Sequence, residues 1–111
     1  MSEIQFGYSH ADYFGLLADV FAAGNQAVVD FQAGNVLDSG TSGCAYLVIT
    51  DERAAYHLNE TAGFKRYDFG VGMRVSCGGW QSLHGAEYVA EAMAEAARFN
   101  GVDAAVVGKV D

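Results

Sequence analysis

The stretch Arg66-Tyr67-Asp68-Phe69-Gly70-Val71-Gly72-Met73-Arg74-Val75-Ser76-Cys77 carries the clearest pattern in the chain. Tyr67, Phe69, Val71, Met73, Val75 and Cys77 fall on one parity, and Arg66, Asp68, Gly70, Gly72, Arg74 and Ser76 on the other. Alternation this regular predicts one long strand, with one face buried and the other polar or bare. Gly70 and Gly72 leave that second face without side chains, so another backbone, a helix or a ligand can approach it.

Elements are read outward from this strand. Gly78-Gly79 ends it, and Ser82 is placed to cap a helix running to about Asn100. The alanines at 86, 90, 92, 94, 96 and 97 favour that helix intrinsically. Val89, Met93, Ala96 and Phe99 are expected on its core side. Asn100-Gly101 terminates it, and Val102 is placed for the apolar contact of a Schellman ending. Residues 102–110 read as a last strand. Upstream, residues 44–50 (Cys-Ala-Tyr-Leu-Val-Ile-Thr) are an apolar, β-branched run suited to a central strand. Residues 53–59 fit either a strand or a helical turn, and Tyr56 and Leu58 alternating around His57 favour strand. Residues 60–63 form the turn that follows.

In the first third, Ile4, Phe6 and Tyr8 alternate as a short strand. Ser9 resembles an N-cap with Asp12 three residues on, and Tyr13, Phe14, Leu17, Val20 and Phe21 recur at helical spacing. Gly24-Asn25 reads as the stop of that helix. Residues 27–33 then read as a strand, and residues 35–43 as a turn-rich loop. The expected order is β-α-β-β-β-β-α-β: a single α+β domain spanning residues 1–111. It has a mostly antiparallel sheet of five to six strands and two helices packed on one face.

With 111 residues, 51% hydrophobic, the chain has material for one core and is not disordered. The amino-terminal residues have no basic segment followed by an apolar run, and no stretch reaches the length of a membrane span. A cytoplasmic protein of a bacterial or phage-infected cell is expected. Cys44 and Cys77 are expected as free thiols in that reducing compartment.

The formal net charge is −8. Residues 1–52 hold seven acids and no Lys or Arg. The basic residues gather in 53–74 as Arg53, Lys65, Arg66 and Arg74. Such a balance argues against direct nucleic-acid binding and against an anionic membrane. Glu87, Glu91 and Glu95 recur every four residues on the second helix, with only Arg98 nearby to compensate the last of them. With Asp30, Asp38, Asp51 and Glu52 they form the candidate partner-binding set, and Trp80, after two glycines, is a candidate contact residue.

Chemistry-bearing motifs are weak. Cys77-Gly78-Gly79-Trp80 suggests an exposed thiol with His57 or His84 as base, yet Cys77 falls on the apolar parity, where a buried thiol needs no further explanation. His10, His57 and His84 match no metal-ligand spacing, and no metal or cofactor is expected. Gly40-Thr41-Ser42-Gly43 lacks both the lysine of a phosphate-binding loop and the final glycine of a serine elbow.

The expected function is therefore that of a small acidic, non-enzymatic protein. It binds a protein partner with a basic, nucleic-acid-handling surface. A phage-encoded inhibitor of a host defence system, such as an anti-CRISPR protein, has this size and charge. The alternatives are a dimeric or small-ligand-binding α+β module, for which the open glycine face is suited, and a small cysteine-dependent enzyme.

Overall fold

The computed structural model describes residues 10–34, 42–68, 70–76 and 82–110, with the backbone alone for residues 10–12. The elements are α1 (His10–Gln32), β1 (Gly43–Ile49), α2 (Glu52–Leu58), β2 (Lys65–Tyr67), β3 (Gly70–Val75), α3 (Leu83–Phe99) and β4 (Ala104–Val110). The strands form one antiparallel sheet in the order β2-β3-β1-β4. From β1 onward the connectivity is β-α-β-β-α-β, the split β-α-β arrangement, with α1 added in front. The α+β class and the antiparallel sheet agree with the sequence reading. Among the described residues, however, there are four strands and three helices. The strand expected at residues 4–8 lies outside them.

The largest correction is at residues 27–33, which are helical, because α1 continues through Gly24 to Gln32. Tyr13, Leu16, Val20, Ala27 and Phe31 are all buried, and their spacing of three, four, seven and four residues follows one helical stripe across the supposed stop. Gly24 lies on that stripe and is itself buried. A Cβ there would stand 2.9 Å from the sulfur of Met93 on α3. The missing side chain thus serves the close approach of two helices rather than a chain reversal. The helix actually ends ten residues later, where Gly34 adopts φ 82° and its N–H donates to the Phe31 carbonyl. Replacing Gly24 by alanine is expected to be nearly neutral, since helix propensity improves and a flexible methionine yields. Leucine at 24 should cost about 1–3 kcal/mol by overpacking, measurable by urea denaturation.

Residues 53–59 lie in α2 and the turn after it, not in a strand. The Asp51 carboxylate accepts from the Ala54 N–H at 2.9 Å and so caps the helix. Ala54, Ala55 and Leu58 form its buried face, whereas Tyr56 is 81% exposed. The apparent alternation around His57 is a short sample of helical periodicity.

Where one strand is expected over 66–77, β2 and β3 pair as a hairpin. Tyr67 pairs with Gly70, Arg66 with Val71 and Lys65 with Gly72, so only positions 68 and 69 separate the two paired strands. Val71, Met73 and Val75 keep their shared face and pack on the core. Folding back reverses the parity of β2, however. Tyr67 joins the glycine face, and Arg66 lies on the side of Val71.

The expected α3 agrees more closely. Ser82 caps it by accepting from the Gly85 N–H at 3.0 Å. Gly101 N–H donates to the Arg98 carbonyl and Val102 N–H to that of Ala97, the two bonds of a Schellman ending, with Gly101 at φ 80° and Val102 buried. Phe99, expected in the core, is 92% exposed; Ala86, Val89, Ala90, Met93 and Ala97 form the inward stripe. The residues of α1, α2 and α3 share one apolar cluster with Ala45, Leu47 and Ile49 of β1. The helices therefore cover one face of the sheet. No helix of the described residues is long and apolar enough to cross a membrane.

Candidate functional site

The other face of the sheet is where side chains from distant parts of the sequence meet. Side chains of directly paired strand residues point to the same side. Tyr46 of β1 pairs with Arg74 of β3 and with Val107 of β4. Val48 pairs with Gly72 and Ala105, and Cys44 pairs with Lys109. Lys65 and Tyr67 of β2 add to the same face opposite Gly72 and Gly70. This face therefore carries two tyrosines and three cations. None of its described strand residues has a carboxylate.

The rings are held in place. Tyr46 and Tyr67 lie with centroids 5.5 Å apart and planes inclined by 40°. Tyr67 leans over Gly72, where a Cβ would come within 2.9 Å of its ring. The glycine face read as bare in the sequence is thus covered at Gly72 by the chain's own tyrosine. The Lys109 ammonium stands 5.4 Å from the Tyr46 ring centroid, a cation–π contact. Val48 and Gly72 at the centre of the face are buried and both tyrosines are half-buried, so what the face offers to solvent is mainly the exposed Lys65, Arg74 and Lys109 around the ring edges. Cys44, also on this face, is a free, half-buried thiol.

The acidic candidates lie elsewhere. Glu91 of α3 forms a 2.9 Å ion pair with Arg98, which also donates to the Ala104 carbonyl at the start of β4. Arg98 therefore binds Glu91, not Glu95 as its spacing suggested. Glu95 is exposed. Glu87 is half-buried and reaches β4, where its carboxylate occupies the space a side chain at Gly108 would need. Asp30 accepts from Gln26 at 3.1 Å along α1. Asp51 is engaged as the cap of α2, and Glu52 is exposed in its first turn. Asp38, Trp80 and Cys77 lie outside the described residues.

Asp19, one of the unneutralised acids of the sequence, and Asp103 are placed by tertiary contacts. The Asp103 carbonyl accepts from the N–H groups of Thr50 and Asp51, which places Asp103 beside the capping carboxylate. Asp19 on α1 accepts from Asn100 at 3.1 Å and so ties α1 to the end of α3.

The histidines have separate settings. His57 packs against Tyr13 of α1, with ring centroids 5.3 Å apart, and against Tyr56 edge-on. His84 is exposed in the first turn of α3. The side chain of His10 is outside the described set. Among the described residues, no three His, Cys, Asp or Glu side chains come together in a way that would hold a metal ion. A groove of about 400 Å³ lies between α2 and the β2–β3 hairpin, where Glu52, Tyr56 and Asn59 face Arg66 and Asp68. Comparison of the chain with protein-family models, with curated proteins and with solved structures returned no match.

Proposed function

We propose that this chain is a non-enzymatic interaction protein whose helical side docks, through its carboxylates, on the basic surface of a nucleic-acid-handling protein. The observation that carries this reading is the separation of charge. Lys65, Arg74 and Lys109, half of the six Lys and Arg residues, sit on the open sheet face. Asp19, Glu52, Glu91 and Glu95 are exposed on the helices, where they outnumber the exposed Arg53 and Arg98. Such a molecule has a directed field as well as a net charge. It approaches a basic partner helices first and binds with fast, salt-sensitive association.

Surfaces built to neutralise phosphates are the natural partners for such a side. Occupying one blocks the nucleic acid that it serves. An inhibitor of a host nucleic-acid defence, such as a phage-borne anti-CRISPR protein, fits this action.

The test begins with capture from bacterial lysate at low and high salt, followed by purification of the captured protein. The double reversal Glu87→Lys with Glu95→Lys, which leaves the Glu91–Arg98 pair intact, is expected to weaken that partner's binding by more than about tenfold. Unchanged affinity in a variant with a normal thermal melt would rule out docking by this side of α3.

A further inference from the structure

We propose that the open sheet face binds single-stranded nucleic acid, stacking bases on Tyr46 and Tyr67 and holding phosphates with Lys65, Arg74 and Lys109. This goes beyond the docking reading, because it uses the opposite side of the sheet and needs no protein partner.

The composition of the face is the first argument. Its three cations have no carboxylate among the described strand residues beside them, in a chain whose net charge is −8. A net charge averages over both sides of a molecule. A ligand at the sheet meets the local set first, because the helical carboxylates lie beyond the core and charge effects fade over a Debye length of about 8 Å at physiological salt. The overall negative charge makes the affinity modest, and the few phosphate contacts make the salt dependence shallow.

Geometry is the second argument. Lys65, Arg74 and Lys109 come from β2, β3 and β4, with Tyr46 of β1 between Arg74 and the β4 strand. Strands are spaced by about 4.8 Å, so the set crosses the sheet over roughly 14 Å, the reach of a few nucleotides. The two rings are already fixed by each other and by the gap at Gly72, so stacking costs little side-chain entropy. A sheet face presents no helix or ribbon to enter a duplex groove, whereas unpaired bases can lay their faces on half-buried rings.

A second copy of the chain is the competing occupant. A two-fold interface sets the same patch against itself. Here it would bring three cations against three cations, a repulsion that Val107, Ala105 and the two tyrosine rings would have to offset.

The test is an anisotropy titration of a labelled oligothymidylate of about twelve nucleotides with the full chain at about 50 mM salt. Saturable binding is expected, with quenching of tyrosine fluorescence. The slope of log K against log salt should be about −2, as three phosphate contacts give. Lys65→Glu should weaken binding at least about fivefold, and Arg66→Glu, the same charge change one residue away on the opposite face, by less than about twofold. Tyr46→Leu should lose at least about fivefold, while Tyr67→Phe, which keeps a ring, should retain binding. Circular dichroism verifies that each variant is folded.

Absence of binding at low salt overturns the proposal. Equal losses from Lys65→Glu and Arg66→Glu also overturn it, because they assign the effect to net charge. A dimer that dissociates on Val107→Lys, which adds a further like charge to the same face, overturns it in favour of a second copy. None of these outcomes bears on capture of a basic protein by the helical side, so the two proposals fail independently.

Discussion

Replacing Phe64 by alanine is expected to lower the free energy of unfolding by about 3–5 kcal/mol. Phe64 is 1% exposed and, among the described residues, is the bulkiest of the most deeply buried side chains. It closes the turn between α2 and β2: its N–H donates to the Thr61 carbonyl, and its carbonyl accepts from the Glu60 N–H. Within that turn Glu60 has φ 65° and Ala62 φ 55°, both left-handed without being glycine. Each such residue costs about 1–3 kcal/mol and persists only where its surroundings hold it. The buried ring is the anchor that holds this turn, so truncation removes packing, and relaxation of the turn offsets only part of that loss. Urea denaturation followed by circular dichroism measures the loss. Tyr56→Ala, on the exposed side of neighbouring α2, should stay within about 0.5 kcal/mol of the parent protein. A Phe64→Ala variant that is equally unaffected would contradict this account of the turn.

The second large effect is expected at Gly70. A Cβ there would collide with the carbonyl oxygen of Ile49. Ile49 belongs to β1, where it pairs with Val71 on one side and Ala104 on the other. Its backbone is fixed by both ladders and cannot withdraw as a flexible side chain would. Gly70→Ala should therefore cost about 2–4 kcal/mol. The contrasting substitution is Gly15→Ala. Gly15 lies exposed within α1, a Cβ there would meet only open space, and alanine should add about 0.5–1 kcal/mol. Opposite signs from two glycine-to-alanine changes in one chain separate steric demand from backbone propensity. Equal signs would refute the assignment.

The behaviour of individual glycines also explains what could be read from the sequence. Gly101 signals a helix end because the chain reverses there, and both ends of α3 are legible from local residues. Gly24 offers the same letter for a different reason, a contact with Met93 that only the assembled helix pair reveals. Once a stop is assumed at Gly24, Val29, Phe31 and Ala33 look like alternation. Seven residues are too few to separate a period of two from a helical stripe. The hairpin is hidden differently. Asp68 and Phe69 lack the Asn-Gly or Asp-Gly signature of a tight turn, and a two-residue link leaves the alternation of the surrounding sequence unbroken.

Of the open face, the cluster Lys65, Arg66 and Arg74 is legible as a basic segment. Its division between two faces is not. Arg66 and Tyr67 exchange sides only because the chain folds back between them and β3. Lys109 joins Tyr46 through a register that pairs residues far apart in sequence. Local pattern carries no information about either event.

The strand order has a consequence for synthesis. β1 is central, yet one of its two neighbours is β4, the last element of the described chain. Its ladder pairs residues 43–49 with 104–110, so one edge of β1 has no intramolecular partner until residues 104–110 have left the ribosome. At about 5–20 residues per second, this delay lasts several seconds. During that time Leu47, Val48 and Ile49 sit on an unpaired edge, the kind of template that recruits other chains. A strand sealed this late exposes the chain to mispairing during synthesis, whatever the strength of the finished core.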